Sequence, residues 1–346
     1  MHDCSAELRK YHNEHVTLTG EDRKEMRERR NTNRDRLKAG LTKKGLPQPL
    51  EFKSQGSYAM KTMVQHEDND YDIDDGVYFD RSVLVGQRGA ELSALQVRQL
   101  IRDAIDDGSF KSPPEVRTHC VRLVYTAGYH VDLPIYRRTI RPEMTDLYEL
   151  ASADWKQSDA RDVTGWFEKE VKQKSPSDEN GDYQLRRITR LLKKFARSRP
   201  SWQDQILSGF GITKLVTECY HADDRDDVSL HETAKAIHQR LKGNLEVKHP
   251  VTPGDTITNG RDDAKARFLR ERLGQGLDWL GPLHARCSHE DALKCWDTFF
   301  STEVFSEEGR KAKKDNGPIT SGVLKEIGAS ASAQAAVQKQ GGGRYA

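Results

Sequence analysis

Residues 55–79 read QGSYAMKTMVQHEDNDYDIDDGVYF, and the organisation of the whole chain follows from how this stretch is read. Gln55-Gly56-Ser57 comes just after a short strand pattern, Leu50 to Ser54, and opens a helix-prone stretch from Tyr58 to Val64. A Gly-Ser turn at a helix start exposes backbone N–H groups and a hydroxyl, which together can cradle phosphate oxygens. Alone, the dipeptide is an ordinary turn. Farther along stands Asp72-Ile73-Asp74, inside a strand pattern running from Asp70 to Phe79. Residues two apart on a strand project from one face, so both carboxylates point one way and Ile73 points into the core.

Two like charges on one face call for a cation. Hard oxygen donors on a rigid strand suit Mg²⁺, or Mn²⁺ in its place, better than zinc. A pair of such ions, ~4 Å apart, activates an attacking hydroxyl and stabilises the leaving group of an in-line displacement. That chemistry requires a third carboxylate on a neighbouring strand, and residues 128–136, GYHVDLPIY, supply Asp132. Val131, Leu133 and Ile135 form one face of this segment, His130 and Asp132 the other. An aspartate in an apolar strand is costly unless it is paired or binds metal. The competing reading is an edge-strand aspartate facing water, because Pro134 suits an edge or a strand end. In the order turn, Asp-Ile-Asp pair, lone Asp, the set reads as a catalytic and metal-binding triad of Asp72, Asp74 and Asp132.

The chain of 346 residues, 35% hydrophobic and 32% charged, is long enough for two lobes around a cleft and reads as a globular protein with a heavily charged surface. No apolar run reaches the ~20 residues that cross a bilayer, and the start, MHDCSAELRK, has no apolar signal-peptide core. Five cysteines, with no CxxC pair, read as reduced thiols in a cytoplasmic protein. The net charge of +2 conceals segregation. Glu67 to Asp80 holds seven acids and no Lys or Arg, and Tyr183 to Arg199 holds seven bases and no acid. Such poles suit a metal ion carrying a polyphosphate.

Thr19 to Gly40 carries a capping hydroxyl, acids in its first turn and a terminal glycine, which predicts a long, charged surface helix. Ala90 to Asp107 has helical periodicity. Thr118 to Tyr125 and Tyr129 to Tyr136 read as a hairpin or two adjacent strands. Beyond Ala151 helical patterns take over: 164–173, 183–199, 209–221, 229–243, 262–280 and 289–299. The expected class is α+β, with a mixed-sheet core, a helical C-terminal lobe and the active site in the cleft between them. The expected divisions are an N-terminal helix region 1–48, a core 49–160, a helical lobe 161–314 and a flexible tail 315–346.

Gly56-Ser57, then DYDIDDGVYF, then Asp132 in YHVDLPIY resemble the polymerase-β-like nucleotidyltransferase superfamily. More closely, they resemble the bacterial cGAS/DncV-like nucleotidyltransferases, and among these the branch that makes cyclic GMP-AMP. The resemblance covers about Glu51 to Leu280. The 19–40 helix is similar to the spine helix bridging the two lobes of these enzymes, and residues 249–255, HPVTPGD, are similar to a loop late in them. It implies two successive transfers in one pocket. A hydroxyl attacks the α-phosphate of a bound triphosphate, pyrophosphate leaves, and the linear product turns round and closes. ATP and GTP would be the substrates and two Mg²⁺ or Mn²⁺ ions the cofactors, in bacterial antiphage defence signalling. Gln55, Gly56 and Ser57 would bind nucleotide. LLKKF at 191–195 followed by LSG at 207–209 resembles the segment whose Lys and Ser contact the donor triphosphate, here Lys193 and Ser208, with Lys194 as substitute for Lys193. The Lys/Arg-rich helix around them would neutralise the triphosphate.

The end GGGRYA, with Ala346 last, is similar to synthase tails that ubiquitin-transfer-like enzymes join to a target, so conjugation through Ala346 is an expectation. An effector would bind the product, not this chain. A membrane is not an expected partner, for want of a long apolar run, and neither is nucleic acid, because the 19–40 helix mixes Glu21, Glu25, Glu28 and Asp35 with its bases. His284, Cys287, His289 and Cys295 have no zinc-ligand spacing and read as free thiols and satisfied histidines. Two other functions stay open: a nucleotidyltransferase with a linear product, and a non-catalytic nucleotide sensor. The second is disfavoured because all three carboxylates are present.

Overall fold

The computed structural model describes residues 1–65, 72–110, 112–125, 130–177 and 181–315. The tail that carries Ala346 lies outside the described residues, as do the acidic residues 66–71 and the turn residues Gly128 and Tyr129.

The chain begins with α1 (Ser5–Tyr11) and a π-helical turn, His12–Val16, then enters α2 (Gly20–Lys43). Thr19 caps α2 through a reciprocal box: its hydroxyl accepts from Asp22 N–H and the Asp22 carboxylate accepts from Thr19 N–H. Two expectations about this helix are corrected. It runs past Gly40 to Lys43, and a Cβ at Gly40 would stand 1.7 Å from the Ala104 carbonyl oxygen. That glycine serves close helix packing, and the left-handed residue past the end is Gly45, at φ 64. Nor is α2 only a surface element, since Met26, Asn33, Leu37 and Leu41 are buried.

After β1 (Glu51–Ser54) comes the short α3 (Gly56–Ala59). The helix expected to reach Val64 stops there, because Lys61 turns into the left-handed region at φ 57. Next are β2 (Asp72–Asp80) and α4 (Ala94–Ile105). The latter starts four residues later than Ala90, where Ser93 and Gln96 form a second capping box. The remaining strands are β3 (Glu115–Val116), β4 (Val121–Val124), β5 (His130–Leu133), β6 (Ile135–Thr139), β7 (Leu147–Ala151) and β8 (Trp155–Gln157). Helices then follow: α5 (Ala160–Lys174), α6 (Gln184–Arg197), α7 (Gly209–Cys219), α8 (Asp226–Gly243), α9 (Ala264–Trp279), α10 (His289–Phe300) and α11 (Val304–Asp315).

In the eight-stranded mixed sheet β2 pairs antiparallel with β1 on one edge and parallel with β5 and then β6 on the other. The register runs unbroken across Pro134, whose carbonyl accepts from Val77 N–H at 2.9 Å, so the proline interrupts the ladder without shifting it. β4 pairs antiparallel with the far side of β5. Asp132 is therefore on an interior strand, and the edge-strand reading of it fails.

Ile73, Val77, Val131 and Leu133 point into a core shared with Leu37 and Leu41 of α2 and Val97 and Ile101 of α4. Each such side chain contributes roughly 1.5–3 kcal/mol. A second core unites α6 to α11 with Cys4, Leu8, Tyr11 and Val16. The N-terminal 48 residues thus divide, with α1 in the helical core and α2 on the sheet. No helix among the described residues is long and apolar enough to cross a membrane.

Candidate active site

The site grows from β2. Its register places Asp72 opposite His130, Ile73 opposite Val131 and Asp74 opposite Asp132. Partnered residues of parallel strands project to the same side of the sheet, so Asp74 and Asp132 lie side by side while Ile73 and Val131 enter the core. Asp132 is 8% exposed and takes a two-pronged hydrogen bond from Arg122 of β4, Nε to Oδ1 and Nη2 to Oδ2, each at 2.8 Å. Cys120 lies against the same carboxylate; burial first, then Asp132, push its thiol up. Arg122 and Cys120 went unnoticed in the sequence, because the β4–β5 register that brings them to Asp132 is a tertiary fact.

The Gly-Ser turn closes over Asp74. Gln55 N–H donates to the Asp74 carbonyl at 2.8 Å, and Gly56 has φ 60. A Cβ on Gly56 would stand 2.1 Å from Asp74 Oδ2, so the carboxylate occupies space that only glycine leaves open. The Gln55 amide is committed beneath the turn: Nε2 donates to Tyr78 Oη at 2.9 Å and Oε1 accepts from Tyr136 Oη at 3.1 Å. Those two rings stack at 4.6 Å, and burial raises both phenols.

From behind, α2 braces both flanks. Arg34 forks onto Asp75, Nε to Oδ2 and Nη2 to Oδ1 at 2.6 Å each, and Arg30 donates to Ser54 Oγ at 3.0 Å. The Asp75 carboxylate is 1% exposed, so α2 is clamped to the residue next to Asp74.

A cleft of about 350 Å³ opens in front, within the range of small-molecule sites. Gln55, Gly56, Ser57 and Asp74 line the sheet side, and Lys193, Arg197, Gly209 and Phe210 the helical side. Asp132, Ser208 and Lys194 are not among the lining residues. Ser208 caps α7, its hydroxyl accepting from Gly211 N–H at 3.2 Å. The first-turn N–H groups of Gly209 and Phe210 precede the helical ladder and begin at the cleft. Lys193 donates through Nζ to the Thr62 carbonyl at 3.2 Å and to its hydroxyl at 3.0 Å. Burial, then Arg197 and Arg190, push its ammonium down to about 7.

The expectation that the whole basic helix faces a triphosphate is corrected. Arg186, Arg187, Arg190 and Lys193 are all buried. Arg187 binds Asp226, and Arg186 binds Glu168. Arg190 donates to Asp182 at 2.7 Å, to the Lys61 carbonyl at 3.0 Å and to His12 Nε2 at 2.9 Å. As an acceptor His12 is neutral; burial, then Arg190, push it down to about 4. α6 is the central strut of the helical core, and only Lys193 and Arg197 of it reach the cleft lining. The 249–255 loop returns to the sheet: His249 packs edge-on to Phe210 at 5.5 Å and Asp255 pairs with Lys156 at 2.8 Å.

Adjacent carboxylates on a parallel strand pair, compensated on one side by a single arginine fork, form an oxygen donor set that fits a hard divalent cation. This sheet, the helical half and the cleft between them have the architecture of a nucleotidyltransferase fold. Residues 50–136 match the family model described as "Cyclic GMP-AMP synthase DncV-like, nucleotidyltransferase domain". Over those residues the chain is thus similar to the nucleotidyltransferase domain of the DncV-like enzymes. Escherichia coli DncV in its 3'-deoxy GTP bound form is 17% identical with a TM-score of 0.64, covering 84% of this chain and 93% of that one. Vibrio cholerae DncV, a cyclic AMP-GMP synthase solved with the linear intermediate 5' pppA(3',5')pG, is 16% identical with a TM-score of 0.65, covering 84% and 92%. These likenesses establish the fold.

Proposed function

We propose that the protein is a cyclic oligonucleotide second-messenger synthase that joins ATP and GTP into cyclic GMP-AMP, in the bacterial cytoplasm and in antiphage defence. The observation that carries this reading is Asp74 beside Asp132 on parallel strands, with the Gly56-Ser57 turn over Asp74 and Lys193 and Arg197 across the cleft. Residues 49–160 act as the catalytic core and 161–314 as the lobe that closes the cleft, with 1–48 bridging them and 315–346 as tail. The N–H groups and hydroxyl of Gly56-Ser57, the first turn of α7 after Ser208, and Lys193 hold the donor triphosphate. Gln55 positions the turn.

The acceptor hydroxyl oxygen bonds to the α-phosphorus, the bond to the β-phosphate oxygen breaks, and pyrophosphate departs. Asp132, next to Asp74, receives the hydroxyl proton. Asp72, Asp74 and Asp132 would hold two Mg²⁺ or Mn²⁺ ions, which lower the hydroxyl pKa and neutralise charge on the departing pyrophosphate. The linear dinucleotide then turns in the same cleft and closes by a second transfer. The DncV complexes with a linear intermediate and with nonhydrolyzable GTP support a shared pocket of this kind. We extend the reading to the tail: an enzyme of ubiquitin-transfer type conjugates Ala346.

The test is incubation with the four ribonucleoside triphosphates and Mg²⁺ or Mn²⁺, then phosphatase and mass spectrometry. A phosphatase-resistant cyclic GMP-AMP, absent with Asp74→Asn and Asp132→Asn, is expected. A product that phosphatase trims to a linear form would instead assign the chain to the linear-product enzymes. Intact mass of the protein co-expressed with a conjugating enzyme tests the tail; an unmodified mass would end that part of the reading.

A further inference from the structure

The segment ahead of α1 is pinned by backbone hydrogen bonds, although it has no regular structure. His2 N–H donates to the Leu283 carbonyl at 2.7 Å, the His2 carbonyl accepts from Arg225 Nη2 at 3.0 Å, and Cys4 N–H donates to Asp227 Oδ2 at 2.9 Å. These bonds hold the His2 and Cys4 side chains against His289, the first residue of α10. One nitrogen of each imidazole and the Cys4 sulfur lie within 4.8 Å of one another, the one such trio of His, Cys, Asp or Glu among the described residues. None of the three lines the catalytic cleft. The sequence reading grouped His289 with His284, Cys287 and Cys295. In the fold His284 instead meets His231, at 3.1 Å between their Nε2 atoms.

Three details point to a metal. His2 Nε2 and His289 Nδ1 face each other at 3.1 Å. In a tetrahedral zinc site, with Zn–N bonds of 2.0–2.1 Å, two nitrogen ligands stand ~3.3 Å apart and a nitrogen and a sulfur ~3.6 Å apart. The nitrogens are already near that spacing, and the sulfur lies within 4.8 Å of both. Secondly, the other nitrogen of His289, Nε2, lies 3.2 Å from Glu7 Oε1. A proton on Nε2 directed at this carboxylate leaves a lone pair on Nδ1 aimed at the trio, which is how a metal-bound histidine is oriented from behind. Thirdly, Trp296 Nε1, fully buried, makes no hydrogen bond of ordinary geometry and is directed at Cys4, where its N–H favours the thiolate. A thiolate in place of the thiol would supply an acceptor.

We propose that His2, Cys4 and His289 form a zinc site that staples the N-terminal segment to the start of α10. Two imidazoles and a thiolate suit a borderline-soft ion and not the Mg²⁺ of the carboxylate site. On binding, the Cys4 sulfur releases its proton to solvent and a sulfur–metal bond forms. The fourth position falls to water, since His289 is exposed.

Cobalt(II) titration of the untagged full-length protein, after stripping with a chelator, tests the site, because thiolate-to-cobalt charge transfer reports a sulfur ligand directly. About one equivalent should bind with that absorption band and be displaced by zinc. His289→Ala, at an exposed position that does not threaten folding, should weaken binding by at least about tenfold. Cys4→Ser should abolish the band. Zinc should raise the melting midpoint of the wild type and not that of His289→Ala. Cobalt uptake without the thiolate band would place the ion on the carboxylates and overturn the proposal. So would a band and affinity unchanged in His289→Ala.

Discussion

Replacing Gly56 by alanine separates the geometry of the site from the stability of the fold. Two costs are expected. A left-handed alanine is strained by about 1–2 kcal/mol, partly offset by the lower entropy of its unfolded chain, leaving a stability loss of about 1 kcal/mol. The second cost falls on Asp74. The new Cβ would stand 2.1 Å from Oδ2, where an ordinary contact begins above 3 Å, so carboxylate or turn must move by about 1 Å. A misplacement of that size costs on the order of 10²-fold in rate, or about 2.7 kcal/mol in the barrier. Gly45 is the internal control. Its φ of 64 nearly equals the 60 of Gly56, but nothing lies within 4 Å of its added Cβ. Gly45→Ala should show the same loss of stability in a denaturant melt and full pyrophosphate release from triphosphates. Gly56→Ala should match it in the melt and lose about 10²-fold in pyrophosphate release. If Gly56→Ala keeps wild-type turnover, or Gly45→Ala loses as much, the packing of Gly56 on Asp74 is not what holds the carboxylate.

Arg34→Ala leaves the Asp75 carboxylate buried without its fork, so unfolding free energy should drop by about 3 kcal/mol. Adding Asp75→Asn should recover part of the loss, and equal melts for the single and double variants would sink the argument. Lys193 has its folded pKa depressed to about 7 from an ordinary value of 10.5, so the unfolded chain binds the extra proton between those values. Its contribution makes stability rise with pH from about 7 to 10.5 and stay level below 7; wild-type and Lys193→Met stability curves should therefore diverge across that window, and parallel curves would refute it. Ser208→Ala removes the cap of α7 and should cost about 1 kcal/mol in a melt. If the α7 terminus also holds the triphosphate, its KM should rise with little change in kcat, whereas an unchanged KM confines Ser208 to capping.

Much of the site was legible because its information is local. Alternation places Asp72 and Asp74 on one face of β2, and it places Val131 and Leu133 opposite Asp132, whatever lies next to the strand. The Thr19 box likewise needs only four consecutive residues. What depends on which segments meet could not be read in this way. Gly40 looked like a helix stop until Ala104 of α4 proved to press against it. The bases of α6 looked like a phosphate clamp, yet Arg186, Arg187 and Arg190 answer Glu168, Asp226 and Asp182, which a linear reading had no means of matching to them. Arg122 reaches Asp132, and His2 and Cys4 reach His289, only through tertiary pairing. Side-chain period and capping act within a few residues, and so this sequence by itself determined β1, β2, the β4–β5 pair, the main bodies of α2 and α4 to α10 and the order of the carboxylates, while α1, β3, β7, β8 and α11 went unread. Register between strands, burial of charge and the partners of a glycine or a cysteine arise from contacts across the chain, and those the tertiary structure alone decided.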